Sequence, residues 1–251
     1  MKVLSLGWGR QSFALAVMCA NGDFERPDVL IHADTLHENS GTYKTAETWT
    51  PWFTLRGLRV VTVKPDAKKT EAFDQWRGVY IPAFTASKKG DGQLNRQCTG
   101  DWKIAPMRRW LQANRNGESV EMWIGISLDE FQRMKDSPVK YITHRYPLVE
   151  LKMTVADCIK YLTQHGYDIP PRSSCVFCPY HNFEEWRQIQ RSPEDWAHAV
   201  AHDEAIRKIR PPFDLFVHPS RRPLSEIDFR NEEDRGQINL WDNECEGLCG
   251  V

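Results

Sequence analysis

Apolar and polar positions alternate along this chain in short blocks, and the blocks predict a strand–helix–strand order from the first residue. Lys2 to Ser5 predicts a short strand, and Ser12 to Ala20 an apolar helix closed by Asn21-Gly22. Asp28 to Ala33 predicts a second strand, ending in Asp34-Thr35. Ser40 to Gly57 predicts a helix that Pro51 kinks or divides, and Leu58 to Val63 a β-branched third strand. Further on, Ile104 to Asn114 predicts a helix, Val120 to Ile126 a fourth strand, and Val139 to Tyr146 an extended segment. Helices are predicted over Thr154 to His165, with Thr154 and Asp157 forming a capping box, and over Phe183 to Arg191 and Pro193 to Arg210. Strands that alternate with helices need crossovers, so the expected fold class is α/β with a parallel sheet. The division expected is a nucleotide-binding domain over 1–165 and a helical, irregular, cysteine-bearing region over 166–251.

The loop between the first strand and first helix carries candidate chemistry. Residues Ser5 to Ser12 read Ser-Leu-Gly-Trp-Gly-Arg-Gln-Ser. Glycines and hydroxyls at a helix N-terminus suit a phosphate, because free backbone N–H groups and the helix dipole both favour an anion there. A turn that uses its glycines for packing alone is the plainer alternative. The loop lacks the Gly-Lys-Ser/Thr ending of a P-loop and the Gly-x-Gly-x-x-Gly order of a dinucleotide fold. Asp34 and Thr35 end the second strand, where an open α/β sheet binds its ligand. Asp34 could accept from an adenosine hydroxyl or hold a metal such as magnesium, and Glu38 is a second acceptor. Gly125 follows the fourth strand on the same side. Arg96, Lys103 and Arg133 are candidate clamps for phosphate or sulfate.

Composition narrows the class. The 251 residues are 41% hydrophobic and 27% charged, enough for one well-buried α/β body. A net charge of −1 gives no global field toward nucleic acid or membrane. No apolar run is long enough to span a bilayer, and the N-terminal apolar stretch is broken by Gly7 to Gln11, so no membrane partner and a cytoplasmic location are expected. Seven cysteines in a cytoplasmic protein point to metal or sulfur chemistry rather than disulfides. Cys19 and Cys158 fall in apolar helical patterns and read as core. Cys175-Val-Phe-Cys178 has the spacing of a zinc or iron–sulfur ligand pair. Cys98 offers a third ligand, and Cys245 or Cys249 the fourth, with His181 a weaker candidate. The tail cysteine left over could act as a thiolate nucleophile or carry a persulfide; a plain structural clip is the rival.

Taken in order, these segments resemble the phosphoadenosine phosphosulfate (PAPS) reductase-like family of the PP-loop, or adenine nucleotide alpha-hydrolase, superfamily, including reductase-like proteins of bacteriophages. Ser5 to Ser12 is similar to the PP-loop, with Leu6 at a glycine and Gln11 at the aspartate. Ile31 to Thr35, Glu38 and Thr42-Tyr43 resemble the Asp-Thr-Gly…Glu-Thr-Tyr stretch. Cys98 with Trp102 to Pro106, Gly125 to Arg133, Tyr146 to Asp157 and Cys175 to Cys178 resemble successive segments of the iron–sulfur reductases, except that Gln97 stands where those have a double cysteine. The resemblance covers roughly residues 1 to 190. It implies an enzyme in which Ser5, Gly7, Gly9, Gln11 and Ser12 cradle phosphate. Asp34, Thr35 and Gly125 would line the adenosine side, and Arg96, Lys103 and Arg133 would neutralise oxyanions. Cys98, Cys175 and Cys178 with Cys249 would hold a 4Fe-4S cluster, zinc being the alternative, and Cys245, Asp34 and Lys103 would carry catalysis. Two reactions follow from the family: cleavage of ATP between its α and β phosphates with sulfur transfer to an acceptor such as a nucleic acid, or reduction of a nucleotide sulfate. A sulfur-donor protein is the implied partner of the first. A zinc-stabilised nucleic-acid binding module without turnover is the rival from another class, with Lys88-Lys89, Arg108-Arg109 and Arg221-Arg222 contacting phosphates. Oligomeric state is left open.

Overall fold

A computed structural model describes residues 1–66, 81–88 and 90–230. Strand β1 (Lys2–Ser5) leads to helix α1 (Arg10–Asn21), strand β2 (Val29–Ala33), helix α2 (Ser40–Leu55) and strand β3 (Val60–Val63). Two short strands follow, β4 (Phe84–Ala86) and β5 (Gly92–Gln93), then a π-helical turn over Thr99–Ile104 that runs into α3 (Ala105–Asn114). Strands β6 (Val120–Ile124) and β7 (Ile142–Arg145) flank a 3-10 turn at Leu128–Arg133. The chain continues through α4 (Pro147–Glu150), α5 (Val155–Gln164), α6 (Phe183–Arg191), α7 (Pro193–Ile206) and β8 (Asp214–Phe216).

The main sheet is parallel throughout, in the order β3-β2-β1-β6-β7. This is the α/β class that the alternating pattern predicts. The period of two explains the layering. Val3, Val29, Ile31, Val120 and Met122 face α3 and its Leu111. Leu4, Leu30 and Trp123 face the opposite layer, with Phe13, Leu15 and Val17 of α1 and Leu162 of α5. Both faces of β2 are covered, and all five of its residues are buried. A second core lies beside the sheet, built from Trp186 and Ile189 of α6, Ala199 and Ile206 of α7, and Phe177, Leu215 and Phe229. It also takes Ile81, Ala83 and Trp102 from the part of the chain before residue 165. The antiparallel trio β5-β4-β8 belongs to this side.

Local signals act as their chemistry requires. Gly22 ends α1 in the left-handed region at φ +86°. Asn39 caps α2 through Thr42 N, and Thr154 with Asp157 forms the expected capping box on α5. Pro51 does not divide α2, which runs as one helix from Ser40 to Leu55. A proline removes a single N–H donor, and the buried Phe53 on the same helix packs on the core with Trp49 and Trp52. Helix α7 stops at Ile206, short of the expected Arg210.

Candidate active site at the sheet switch point

Chain order reverses at β1. The first three strands step outward on one side, and β6 returns to the other. A crevice therefore opens beyond the carboxyl ends of β1 and β6, the place where open α/β sheets bind ligands. The loop from Leu6 to Gly9 and the first turn of α1 form one wall. Gly9 caps α1 without a side-chain bond, and the first turn holds no acidic residue, so its N–H groups stay available to an external anion. Ser12 braces the loop: its Oγ accepts from Gly7 N at 3.1 Å and donates to Gly9 O at 3.3 Å. Trp8 takes φ +59°, uncommon for a bulky residue, because its side chain is fully buried beside His32 and Phe53 while the backbone turns. Gly125, just beyond β6, lies against this wall. A Cβ there would fall 2.9 Å from both N and Cα of Ser12.

The facing wall is stitched from distant segments. Glu38 and Cys175 form an isolated antiparallel bridge, backed by Val176 N to His37 O at 2.9 Å and Asn39 N to Ser174 O at 3.1 Å. The Glu38 side chain is fully buried and accepts from Lys103 Nζ (3.0 Å), Thr35 Oγ1 (3.2 Å) and Ser173 Oγ (3.1 Å). Burial is the largest influence on Lys103 and opposes its charge, but Glu38, Cys175 and Cys98 together hold the lysine pKa above its ordinary value. The π-helical turn buries Trp102 and sets Lys103 beside the cavity. Such turns mark functional sites often enough to be noted.

Between the walls lies a cavity of about 870 Å³. The expected residues Gly7, Gly9, Gln11, Ser12, Thr35, Gly125, Arg96, Lys103, Arg133, Cys98, Cys175 and Cys178 all line it. Ser5 and Asp34 do not. The Ser5 hydroxyl lies 4.0 Å from Met107 Sδ of α3. The Asp34 carboxylate accepts from Tyr43 Oη (2.9 Å) and Leu36 N (2.8 Å), with Lys64 Nζ at 3.8 Å. That set of partners makes it a brace for its own turn. Arg10, Glu130, Arg172 and Ser173 line the cavity without having been singled out in the sequence. Arg172 pairs with Glu185, and Arg96 sits 5.4 Å from the ring of the half-exposed Tyr180. For Arg172 and Ser173 the sequence carries a signal, since they stand within three residues of Cys175.

All five described cysteines are free thiols. Burial pushes the Cys175 thiol up, Glu38 adds to this and Lys103 opposes it; burial likewise raises Cys178. Cys175 Sγ lies 3.3 Å from Thr35 Oγ1. Among the described residues no group of three or more His, Cys, Asp or Glu is arranged to hold a metal ion. The three thiols on the cavity wall therefore do not by themselves fit a cluster or zinc. Cys245 and Cys249 lie outside the described residues.

Behind the facing wall His37, His198 and His202 meet around Phe177. His37 Nδ1 and His198 Nε2 are 3.3 Å apart, and His202 stacks on Phe177 at 3.4 Å. Burial, then His198, pulls the His37 pKa down to about 4, against Asp34 and Glu38; burial also lowers His202 and His198. Folding thus favours the neutral rings. Their contribution is complete above the unfolded histidine pKa near 6.5 and is lost as pH falls toward about 4, because the unfolded chain then binds more protons. Stability to urea is expected to drop steadily between pH 6.5 and 4, by about 3 kcal/mol for His37 alone. A His37→Gln variant should show a shallower slope over that window; an unchanged slope would remove His37 from this account.

No family model matches the chain, and no curated protein matches it. No helix among the described residues is long and apolar enough to cross a membrane. Among solved structures the chain is similar to the crystal structure of phosphoadenylyl-sulfate (PAPS) reductase from Candida auris in its phosphate complex, at 15% identity and a TM-score of 0.47, over 67% of this chain and 74% of that one.

Proposed function

We propose that this chain is an adenine-nucleotide-binding enzyme of PP-loop type that works in sulfur chemistry. One observation carries the proposal: a bare helix N-terminus, cationic side chains and three thiols share one cavity at the switch point of a parallel sheet. The first turn of α1, from Arg10 to Ser12, receives phosphate oxygens through its N–H groups. Arg96, Lys103 and Arg133, joined by Arg10 and Arg172, neutralise the remaining oxyanions. The reaction proposed is attack of an acceptor oxygen on the α-phosphorus of ATP, which releases pyrophosphate and leaves the acceptor as its adenylate, followed by attack of hydrosulfide on the activated carbon with AMP as the leaving group.

The thiols also favour a second reading, in which a thiolate takes the sulfonate from a nucleotide sulfate, a second thiol releases sulfite by closing a disulfide, and an external dithiol reopens it. Product analysis separates the two. Anaerobically purified protein is incubated with ATP, a sulfide source and a nucleic acid, and in parallel with PAPS and a dithiol reductant. Pyrophosphate and AMP from ATP are the expected products. Sulfite from PAPS alone would replace the first reading with the second. Salt-sensitive binding to nucleic acid without turnover of either nucleotide would overturn both.

A further inference from the structure

The polar residue of the phosphate loop, Gln11, faces another partner than phosphate. We propose that Gln11 is a positioning residue that straps the loop after β6 to the N-terminus of α1 and so presents Arg133 to the cavity.

The carboxamide nitrogen has two hydrogens, and both are committed. It donates to Ser127 Oγ at 3.0 Å and to Glu130 Oε2 at 2.7 Å. Ser127 is fully buried and passes its own hydrogen to Asp129 Oδ1 at 2.5 Å. Asp129 Oδ1 also accepts from Val155 N, at 3.2 Å, in the first turn of α5. Glu130 pairs through its other oxygen with Arg133 Nη1 at 2.7 Å. Hydrogen-bond direction is therefore fixed along the whole chain, and it starts at Gln11. Only a donor at position 11 fits. A carboxylate of the same length would bring no hydrogen and would face Glu130. The Glu130–Arg133 pair is itself 31% and 60% exposed, so it adds little to stability; what the strap supplies is geometry. It links α1, the loop after β6 and the start of α5 across the crevice that the ligand must enter.

The strap rests on the proposed nucleotide reading only for what Arg133 meets. Three variants test it: Gln11→Met, which keeps the shape without donors; Gln11→Glu; and the exchange Q11E/E130Q, which returns a donor to the opposite side. ATP binding is measured by calorimetry, and hydrogen exchange of residues 127–133 is measured without nucleotide. ATP binding is expected to weaken about fivefold in Q11M and about twentyfold or more in Q11E, and to return to within about fivefold of the parent in Q11E/E130Q. Exchange over 127–133 should accelerate in Q11E and slow again in the exchanged pair. Unchanged exchange in Q11E, or a double variant no better than Q11E in exchange, would overturn the strap. If the parent protein binds no adenine nucleotide, the functional reading fails and the exchange comparison alone decides the strap.

Discussion

Replacing Lys103 with methionine is expected to destabilise the protein by about 3–5 kcal/mol, because it leaves a buried carboxylate without its cation. The two partners are unequal. The Glu38 side chain is fully buried, whereas that of Lys103 is 37% exposed. Removing the anion strands a lysine that can still reach water. Removing the cation strands a charge that cannot. Glu38→Gln is therefore expected to cost only about 1–2 kcal/mol, since the amide oxygen still accepts from Thr35 or Lys103. The double variant E38Q/K103M should recover most of what K103M loses. Urea unfolding of the three variants measures all of this. A K103M loss no greater than that of E38Q would show that the pair lies on the surface in energetic terms. Lys103 also lines the cavity, so K103M should lose nucleotide affinity that E38Q/K103M does not regain.

Gly125→Ala is the second large effect. The added Cβ would meet the backbone of α1 at 2.9 Å, and backbone of a packed helix cannot step aside as a side chain can. Overpacking of this kind costs about 1–3 kcal/mol. The greater consequence is for the site, because the wall that moves is the one proposed to receive phosphate. Turnover is expected to fall about a hundredfold, the scale of a 1 Å misplacement. Gly7→Ala is the control for stability. Its Cβ would lie 3.8 Å from Ser12 Oγ, ordinary contact, so its unfolding free energy should stay within about 0.5 kcal/mol of the parent. Equal destabilisation by the two alanines would contradict the packing argument.

Much of this architecture is legible in the amino-acid order, for physical reasons. Short apolar and β-branched runs mark β1, β2, β3 and β6, and the order of strands and helices points to a parallel sheet, at whose carboxyl edge a ligand loop is expected. Gly125 could be placed at that edge from sequence. What it touches could not, because the contact with Ser12 depends on how α1 docks. The same holds for Gln11. Its position in the loop is visible, but its partners Ser127 and Glu130 are more than a hundred residues away. Asp34 shows the opposite case. Its place at the end of β2 suits a ligand, yet Tyr43 and the backbone of Leu36 both bond its Oδ1, and Oδ2 faces Lys64 at 3.8 Å rather than the cavity wall. The π-helical turn before α3, which buries Trp102, has no periodic signature in the sequence. Glu38 could be noted as an acceptor, but its role in joining Lys103, Thr35 and Ser173 needs the bridge to Cys175.

The central claim is that the N-terminus of α1 receives the phosphates of an adenine nucleotide. A crystal structure of the protein soaked with a non-hydrolysable ATP analogue tests it most directly. The account predicts phosphate oxygens within hydrogen-bond distance of the backbone N–H groups between Gly7 and Ser12, with Arg133 or Lys103 on the same anion. A nucleotide bound elsewhere, or a phosphate loop left vacant at saturating analogue, would contradict it.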